Sequence, residues 1–242
     1  MKLGRKAVKT DSRTLRVGQY MKTLPPVPRT RDWIGNLTNW GMMLNDSLGD
    51  CTCAACGHAI QVWTRNVGFE YTVPDNSIKD AYEKWCGYNP ADSSTDNGGV
   101  ELDVLNAFKN QGLGGHKLDV FAAVNFANLE EIKQAINLFG GVYIGLNLPT
   151  SAQQQTAWSY VPGTKDNAPG SWGGHAVFVP KYSEAGFTCI TWGAPMWMSN
   201  YFWTMYCDEA YALVSTDFLN LRGDTPAGFD LQQLLADLAL IR

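Results

Sequence analysis

The residue best placed for chemistry is a cysteine at the boundary between a turn and a helix. Apart from Leu48, residues 45–50 are types that favour turns and helix N-caps. Apolar residues then repeat at helical spacing, which predicts a helix from about Cys51 to Asn66. A thiol in the first turn of a helix lies at the positive end of its dipole, which favours the thiolate. We therefore predict that Cys51 is a catalytic-type nucleophile; the alternative is a buried structural cysteine.

The same helix raises the question of a metal site. Cys51, Cys53, Cys56 and His58 are close in sequence. On one helix their side chains point in too many directions for a single tetrahedral ion, and no second cluster completes the set. We therefore predict no metal and no cofactor, and we interpret His58 and His116 as ordinary core or surface histidines.

Length and composition are those of a globular protein. The 242 residues suffice for one domain or two closely packed lobes, and no apolar run reaches membrane-spanning length. No apolar stretch follows the basic N-terminus, so no secretory signal is expected. Six cysteines, three of them on one helix, fit reduced thiols in a cytosol-like compartment. These features predict a cytoplasmic protein without a membrane partner.

Charge is distributed unevenly along the chain. Residues 1–31 hold nine Lys or Arg against one acid, which gives +8, so the rest of a chain of net charge -4 carries -12. A basic arm on an acidic body predicts an interaction segment. Two interpretations stay open: the arm packs back on its own acidic body, or it binds an acidic partner or nucleic acid. No aromatic interleaving supports base stacking there.

Hydrophobic periodicity predicts helices in the first half of the chain and strands in the second. Residues 1–24 are expected to be irregular and exposed, and three prolines then form a stiff connector. Further helices are expected over residues 77–86, 100–111 and 128–140. Strands are expected over residues 117–124, 142–148, 175–180, 187–192 and 209–215. This order predicts an α+β fold, to which leucines after Asp230 add an amphipathic C-terminal helix.

Four motifs occur in an order that resembles the papain-like cysteine peptidases. They are the segment from Pro28 through Trp33 to Cys51, then Asn97-Gly98-Gly99, Gly174-His175-Ala176-Val177 and Thr191-Trp192-Gly193. The resemblance covers about residues 28–215, and the run around Cys51 is similar to that of bacterial and phage-encoded relatives. It implies a papain-like domain over 28–220, with a helical lobe (about 28–115), an antiparallel β lobe (about 116–220) and the site in the cleft between them. A basic arm with its Pro-rich connector, 1–27, precedes this domain, and the amphipathic helix, 221–242, follows it.

The resemblance also implies roles for individual residues. Cys51 would be the nucleophile, paired as an ion pair with His175 as general base. The Asn45 side chain, at the family's glutamine position, would stabilise an oxyanion together with the Cys51 backbone N–H. Gly98, Gly99 and Trp192 would border the bound substrate. The implied reaction is hydrolysis of an amide bond in a peptide or protein substrate through a thioester.

Several positions depart from the family pattern. Asn45 is one methylene shorter than glutamine. Ile190 stands where the family has the asparagine that orients the imidazole, and an isoleucine cannot hydrogen-bond a ring nitrogen. If the strand is bulged, Thr191 is the candidate to replace that asparagine. The alternative is that Thr191 has a purely structural role. Thr52 replaces the tryptophan that follows the nucleophile.

Three functions remain in competition on the sequence alone. The first is a cysteine peptidase or a related thiol acyl-transfer hydrolase. The second, favoured by Ile190, is a catalytically impaired papain-like fold with a structural or interaction role, such as a phage virion component tethered by the basic arm. The third is a cell-wall endopeptidase, although the 124 residues from Cys51 to His175 are long for that group. The protein would accordingly be cytoplasmic or virion-associated.

Overall fold

The structure, a computed structural model, describes residues 1–20, 26–163, 165–219 and 225–226. The helix expected over 221–242 therefore lies almost entirely outside the described residues. In chain order the helices and strands of the described part are β1 (Leu15–Arg16), α1 (Val17–Tyr20), β2 (Arg31–Asp32), α2 (Cys51–Asn66), α3 (Asp75–Cys86), α4 (Glu101–Gln111), β3 (Val120–Ala123), α5 (Leu129–Phe139), β4 (Val142–Leu148), β5 (Gly173–Tyr182), β6 (Gly186–Thr191), β7 (Ala194–Ser199), α6 (Asn200–Tyr206) and β8 (Cys207–Val214).

Helix α2 is the central helix of the molecule. Its residues from Cys51 to Thr64 are all buried, so it is covered on every side rather than along one stripe. Small side chains, three Cys, three Ala and one Gly, make this close packing feasible. One side of α2 packs against β5, and others meet α3 and α4. The first residue of α2 is thereby fixed between the helices and the sheet.

The strands form one sheet in the order β1-β3-β8-β4-β5-β6-β7, and β2 pairs with β5. All pairs are antiparallel except β1 with β3. The pairing of β5 with β6 shifts register between Phe178 and Lys181. Such an irregularity changes which side chains of the shorter strand face its neighbour. It bears on the site because His175 is on β5 and Thr191 ends β6.

The expected α+β fold is confirmed, since the three long helices α2, α3 and α4 precede the main strands β3 to β8 along the chain. Helix α2 and strand β4 have the predicted bounds. Strand β7 and helix α6 were not predicted, because the segment 194–206 is aromatic on both faces and carries neither period clearly. Every described helix is too short or too polar to cross a membrane.

The prediction that residues 1–24 are irregular and exposed holds for most of the described residues 1–20, but Arg5 and Val17 are buried and residues 15–20 form β1 and α1. Strand β1 pairs with β3, and Val17 at the start of α1 is buried in the core. The first residues run through the groove between the helices and the sheet, where Arg5 is 7% exposed. The charge asymmetry explains this placement, since the basic arm meets acidic groups of its own chain.

Candidate functional site

Cys51 occupies the first position of α2, at the junction of three parts of the chain. The loop before it supplies Asp50, whose backbone carbonyl accepts the N–H groups of Cys53 and Ala54 and so starts the helix. The Cys51 sulfur accepts the backbone N–H of Ala176 on β5 at 3.4 Å, and that of Gly4 in the arm. Only 1% of Cys51 is exposed. The sulfur therefore lies in a closed contact of helix, sheet and arm.

His175 precedes Ala176 on β5, so its backbone adjoins the residue whose N–H reaches the Cys51 sulfur. The ring is fully buried and stacks on the indole of Trp192, with centroids 4.4 Å apart and planes at 13°. Its Nε2 lies 2.7 Å from Thr191 Oγ1. Its Nδ1 is buried and makes no hydrogen bond to any residue that the structure describes. Nδ1 is thus the ring nitrogen that the described protein groups leave unpaired.

Thr191, rather than Ile190, faces the imidazole. Ile190 is fully buried and pairs with Phe178 in the sheet, whereas Thr191 is the last residue of β6. The register shift in the pairing of β5 with β6 fits the bulge on which the Thr191 hypothesis depended. A hydroxyl can accept a proton from Nε2–H or donate one to Nε2. When it accepts, Nδ1 carries a lone pair and can act as a base.

The expected thiolate–imidazolium pair is absent from this closed arrangement. Burial raises the pKa of the Cys51 thiol to about 12, against the smaller effect of the N–H groups of Ala176 and Gly4. Burial, with a minor repulsion from His58, lowers the pKa of His175 to about 3. Both changes disfavour charge, so the two groups are a neutral thiol and a neutral imidazole. The helix dipole does not compensate for the loss of water.

The Asn45 amide is buried and engaged within its own loop. Its Nδ2 lies 3.1 Å from Asp50 Oδ1 and 3.3 Å from the Leu48 carbonyl oxygen, donating to both. The backbone carbonyl oxygen of Asn45 accepts the backbone N–H of Lys2. In this arrangement the side chain holds the loop before Cys51 in shape. To donate to an oxyanion, one amide hydrogen would have to turn away from its present partner.

Asp50 is a buried carboxyl beside the nucleophile. It is 0% exposed, and its Oδ2 makes no hydrogen bond to the described residues. Burial raises its pKa to about 8, although the amide of Asn45 acts in the opposite direction. Asp50 is therefore mostly protonated at neutral pH, which keeps a negative charge away from the Cys51 sulfur.

The three residues predicted to border substrate all contact the N-terminal arm. The Gly99 N–H donates to the Gly4 carbonyl oxygen at 2.7 Å, and the Lys6 N–H donates to the Gly99 carbonyl oxygen at 2.8 Å. The Gly98 φ of +77° is the left-handed conformation that suits glycine, and a Cβ there would collide with Gly4. Trp192 Nε1 donates to the Lys2 carbonyl oxygen at 3.4 Å.

The arm thus lies in the groove as an extended strand. Its Gly4 passes directly over the Cys51 sulfur, where a Cβ would collide with the backbone of Gly49. Lys2 forms an ion pair with Asp96, whose other oxygen accepts the N–H of Gly49. One of the two interpretations of the basic arm, that it packs on its own acidic body, describes what the structure shows, but its position over Cys51 was not predicted. The glycine next to Arg5 was the available signal, because only glycine fits a crossing this close.

No group of three or more His, Cys, Asp or Glu side chains in the described ranges is arranged to hold a metal ion. All six cysteines are free thiols. His58 is buried on α2, where its Nε2 lies 2.9 Å from the Gly41 carbonyl oxygen. The site therefore contains a thiol, an imidazole and backbone N–H donors.

The fold is similar to that of solved cysteine proteases. Xylellain from Xylella fastidiosa gives a TM-score of 0.68 at 14% identity, with 88% of this chain and 96% of that chain covered. The cysteine protease CMS1MS2 from Carica candamarcensis gives 0.57 at 16% identity, with 78% and 99% covered. Procathepsin L 3 from Tenebrio molitor larval midgut gives 0.59 at 12% identity, with 81% and 72% covered.

No family model matches the sequence, and no curated protein matches it either. Identities this low establish the fold alone. The chain has the papain-like cysteine protease fold. The groove that holds Cys51, His175 and the arm lies between its helices and its sheet.

Proposed function

We propose that this chain is a cysteine peptidase that cleaves amide bonds of a peptide or protein through a thioester on Cys51. The observation that carries the proposal is the state of the His175 ring. Its Nε2 is held by Thr191 while its buried Nδ1 has no hydrogen-bond partner among the described residues, and the next residue along β5, Ala176, donates its N–H to the Cys51 sulfur. A general base needs this combination of one anchored nitrogen and one free nitrogen.

The first half of the reaction forms the thioester. His175 Nδ1 takes the proton of the Cys51 thiol, and the sulfur attacks the substrate carbonyl carbon. The Cys51 backbone N–H donates to the oxyanion, with one amide hydrogen of Asn45 joining it once that hydrogen leaves Asp50 or the Leu48 carbonyl. The protonated imidazole then gives its proton to the leaving amine as the carbon–nitrogen bond breaks.

The second half releases the acid. A water molecule gives a proton to His175 Nδ1 and attacks the thioester carbon, and the sulfur leaves as its bond to carbon breaks. The thiol and the neutral imidazole are then restored. Throughout both halves, Thr191 accepts the Nε2 hydrogen and stabilises the ring in the orientation that the stacked Trp192 also favours.

The arm sets a condition on this activity. While Gly4 covers the sulfur, no substrate carbonyl can reach it, and burial keeps the pair neutral. When the arm leaves, water enters the groove and the desolvation that raises the pKa of Cys51 decreases. The thiolate expected at a helix N-terminus is then a property of the open state.

A test of the proposal is the alkylation of Cys51 by a peptidyl electrophile, located by mass spectrometry of the digested protein. Location matters because Cys86 is partly exposed and its pKa is lowered, chiefly by a hydrogen bond from Cys53 and also by Thr52. We expect an adduct on Cys51 that His175→Ala reduces at least about a hundredfold. The matched control, Cys86→Ala, should leave it unchanged. An adduct on Cys86 alone after the arm has been displaced would refute the peptidase.

A second candidate function is an interaction protein that keeps the fold without the chemistry. The observation in its favour is the closed, neutral pair beneath an arm with both backbone and ionic contacts. In that case the arm would be a permanent part of the groove or a tether to an assembly such as a virion. Cys51 that stays unlabelled after the arm has been displaced would select this candidate.

A further inference from the structure

Arg5 of the arm fills a pocket that contains three carboxylates. Its Nε lies 2.9 Å from Glu101 Oε1, and its Nη2 lies 2.5 Å from Asp208 Oδ1 and 2.9 Å from Glu209 Oε2. Only 1% of the Arg5 side chain is exposed. Burial alone would lower the pKa of this guanidinium, but the carboxylates outweigh it and raise the pKa above the usual range.

Three elements of the fold build this acidic pocket. Glu101 begins α4, Asp208 and Glu209 lie near the start of β8, and Gly145 of β4 forms the floor. A Cβ on Gly145 would collide with the Arg5 guanidinium, so glycine leaves the space that the planar group occupies. The pocket is therefore shaped by the folded domain, and the arm only fills it.

The acidic pocket is coupled to the backbone contacts of the groove. Gly99 bonds the residues on either side of Arg5, and the Arg5 N–H donates to the Gly174 carbonyl oxygen at 3.0 Å. An extended chain held by Gly99 and Gly174 must project one side chain between Glu101 and Glu209. In this structure that side chain belongs to Arg5, which follows the Gly4 that covers Cys51.

The carboxylates exceed the charge that Arg5 supplies. Glu101 is 1% exposed, and its Oε2 has no hydrogen-bond partner in the described part of the chain. Burial raises the pKa of Glu101, and the neighbouring Glu209 adds to this effect. Buried carboxylates are costly unless a cation pairs with them. An empty pocket would therefore attract a basic side chain strongly.

We propose that the acidic pocket is the specificity subsite of the groove and selects a basic side chain, arginine above all, of the peptide that replaces the arm. Arg5 occupies this subsite until that peptide arrives. Arginine is favoured over lysine because its planar fork reaches Glu101 through Nε and the β8 acids through Nη2 at once. As a specificity claim this rests on the proposed peptidase function, but the binding itself can be measured without any reaction.

The experiment uses the full chain with Arg5→Ala to empty the pocket and Cys51→Ala to prevent turnover. Calorimetry measures the affinity of acetyl-Lys-Leu-Gly-Arg-Lys-Ala-amide and of the same peptide with citrulline, which has the shape of arginine without its charge. The tethered arm competes equally with both peptides, so the ratio of their affinities reports on the pocket. We expect the arginine peptide to bind at least about tenfold more tightly.

Two further variants locate the effect. Adding Glu209→Gln should bring the ratio of the two peptide affinities close to one. If the Glu209→Gln variant does not fold, Asp208→Asn is used in its place. Asp103→Asn, an exposed acid on the same helix as Glu101, is the matched control and should keep the full ratio. Equal affinities, or no binding of either peptide, would overturn the inference. Selective binding together with a wild-type Cys51 that never reacts would support the pocket and refute only the peptidase.

Discussion

In the proposed mechanism, Thr191 is the side chain that holds the Nε2 of His175. The hydroxyl takes the place of an amide that the resemblance implied one residue earlier, at Ile190. An amide oxygen can only accept, so it fixes the imidazole tautomer, whereas a hydroxyl fixes it only if its own hydrogen is directed elsewhere. Thr191 is thus a positioning residue for the base.

Replacing Thr191 tests this role. Thr191→Val keeps the shape and leaves Nε2 without a partner, so we expect the rate constant for alkylation of Cys51 to fall about tenfold or more. Thr191→Ser keeps the hydroxyl and should stay within about threefold of the parent. The arm is common to all three proteins, so its opening cancels from the comparison. A valine variant with the parental rate and pH profile would show that Thr191 is only a packing residue.

Asp50 gives a pH prediction. Its pKa of about 8 in the folded protein is above the usual value for aspartate, since burial disfavours the charge. Between about pH 4 and pH 8 the folded state keeps a proton that the unfolded state has lost. The group therefore lowers the free energy of unfolding as pH rises through this window, by at most about 1.4 kcal/mol per pH unit.

Asp50→Asn removes this dependence and preserves an oxygen for the amide of Asn45. The stability of the variant relative to the parent should increase steadily from pH 5 to pH 8, measured by urea unfolding at each pH. Asp46→Asn, on an exposed side chain of the same loop, is the control and should follow the parent. Unfolding curves of parent and Asp50→Asn that stay parallel with pH would contradict the prediction.

Among the structural elements, the N-terminal arm has the most consequence for function. Its backbone bonds to Gly99 and Gly174 are those that an added strand makes with a sheet edge. Its cations pair with Asp96 and Asp103 at the rim of the groove. Exposed ion pairs contribute little stability, so the close fit of Gly4 and the pocket around Arg5 must hold the arm in place.

A methyl group on Gly4 should dislodge the arm. Gly4→Ala places a Cβ against the backbone of Gly49, which cannot move without disturbing the loop before Cys51. We expect Cys51 to be alkylated at least about tenfold faster, because the open state is more populated. Val8→Ala, an exposed arm residue, is the control and should keep the parental rate. If Gly4→Ala folds and reacts no faster, the arm does not limit access to the sulfur.

At the level of the whole molecule, buried hydrogen bonds join α5 to earlier segments of the chain. Trp63 of α2 is fully buried, and its Nε1 donates to the Phe139 carbonyl oxygen at the end of α5 at 2.9 Å. Trp33 makes a similar bond to the Ile136 carbonyl oxygen at 2.7 Å. The two lobes therefore share one core, and we expect them to unfold together.

Trp63→Phe tests this coupling. It removes the donor and some apolar volume, so we expect the free energy of unfolding to fall by about 1–3 kcal/mol. Circular dichroism and tryptophan fluorescence should still report one coincident transition. Trp85→Phe is the control, since its Nε1 bonds Gln111 at an exposed position, and it should cost far less. Two separated transitions in Trp63→Phe would mean that the lobes fold independently.

Much of the fold was predictable because its signals are local. The helix that starts at Cys51 and the strand from Val142 to Leu148 have the predicted bounds, since turn residues, apolar periodicity and a following proline mark them. Asn128 caps α5 as expected, accepting the N–H of Glu131. Strand β7 and helix α6, over residues 194–206, were not predicted. Sheet pairing and packing, rather than the pattern of the segment itself, decide where β7 ends and α6 begins.

The sequence by itself determined the order of the main helices and strands and the two residues on which the proposed chemistry depends, Cys51 and His175. Only the tertiary structure decided that Thr191 meets the imidazole, that Gly4 covers the sulfur and that Arg5 fills a pocket of three carboxylates. Periodicity and capping act between neighbours in the chain, so a sequence records them directly. Desolvation and ion pairing depend on which distant segments share one groove, and here they give a neutral thiol where the helix start alone predicted a thiolate.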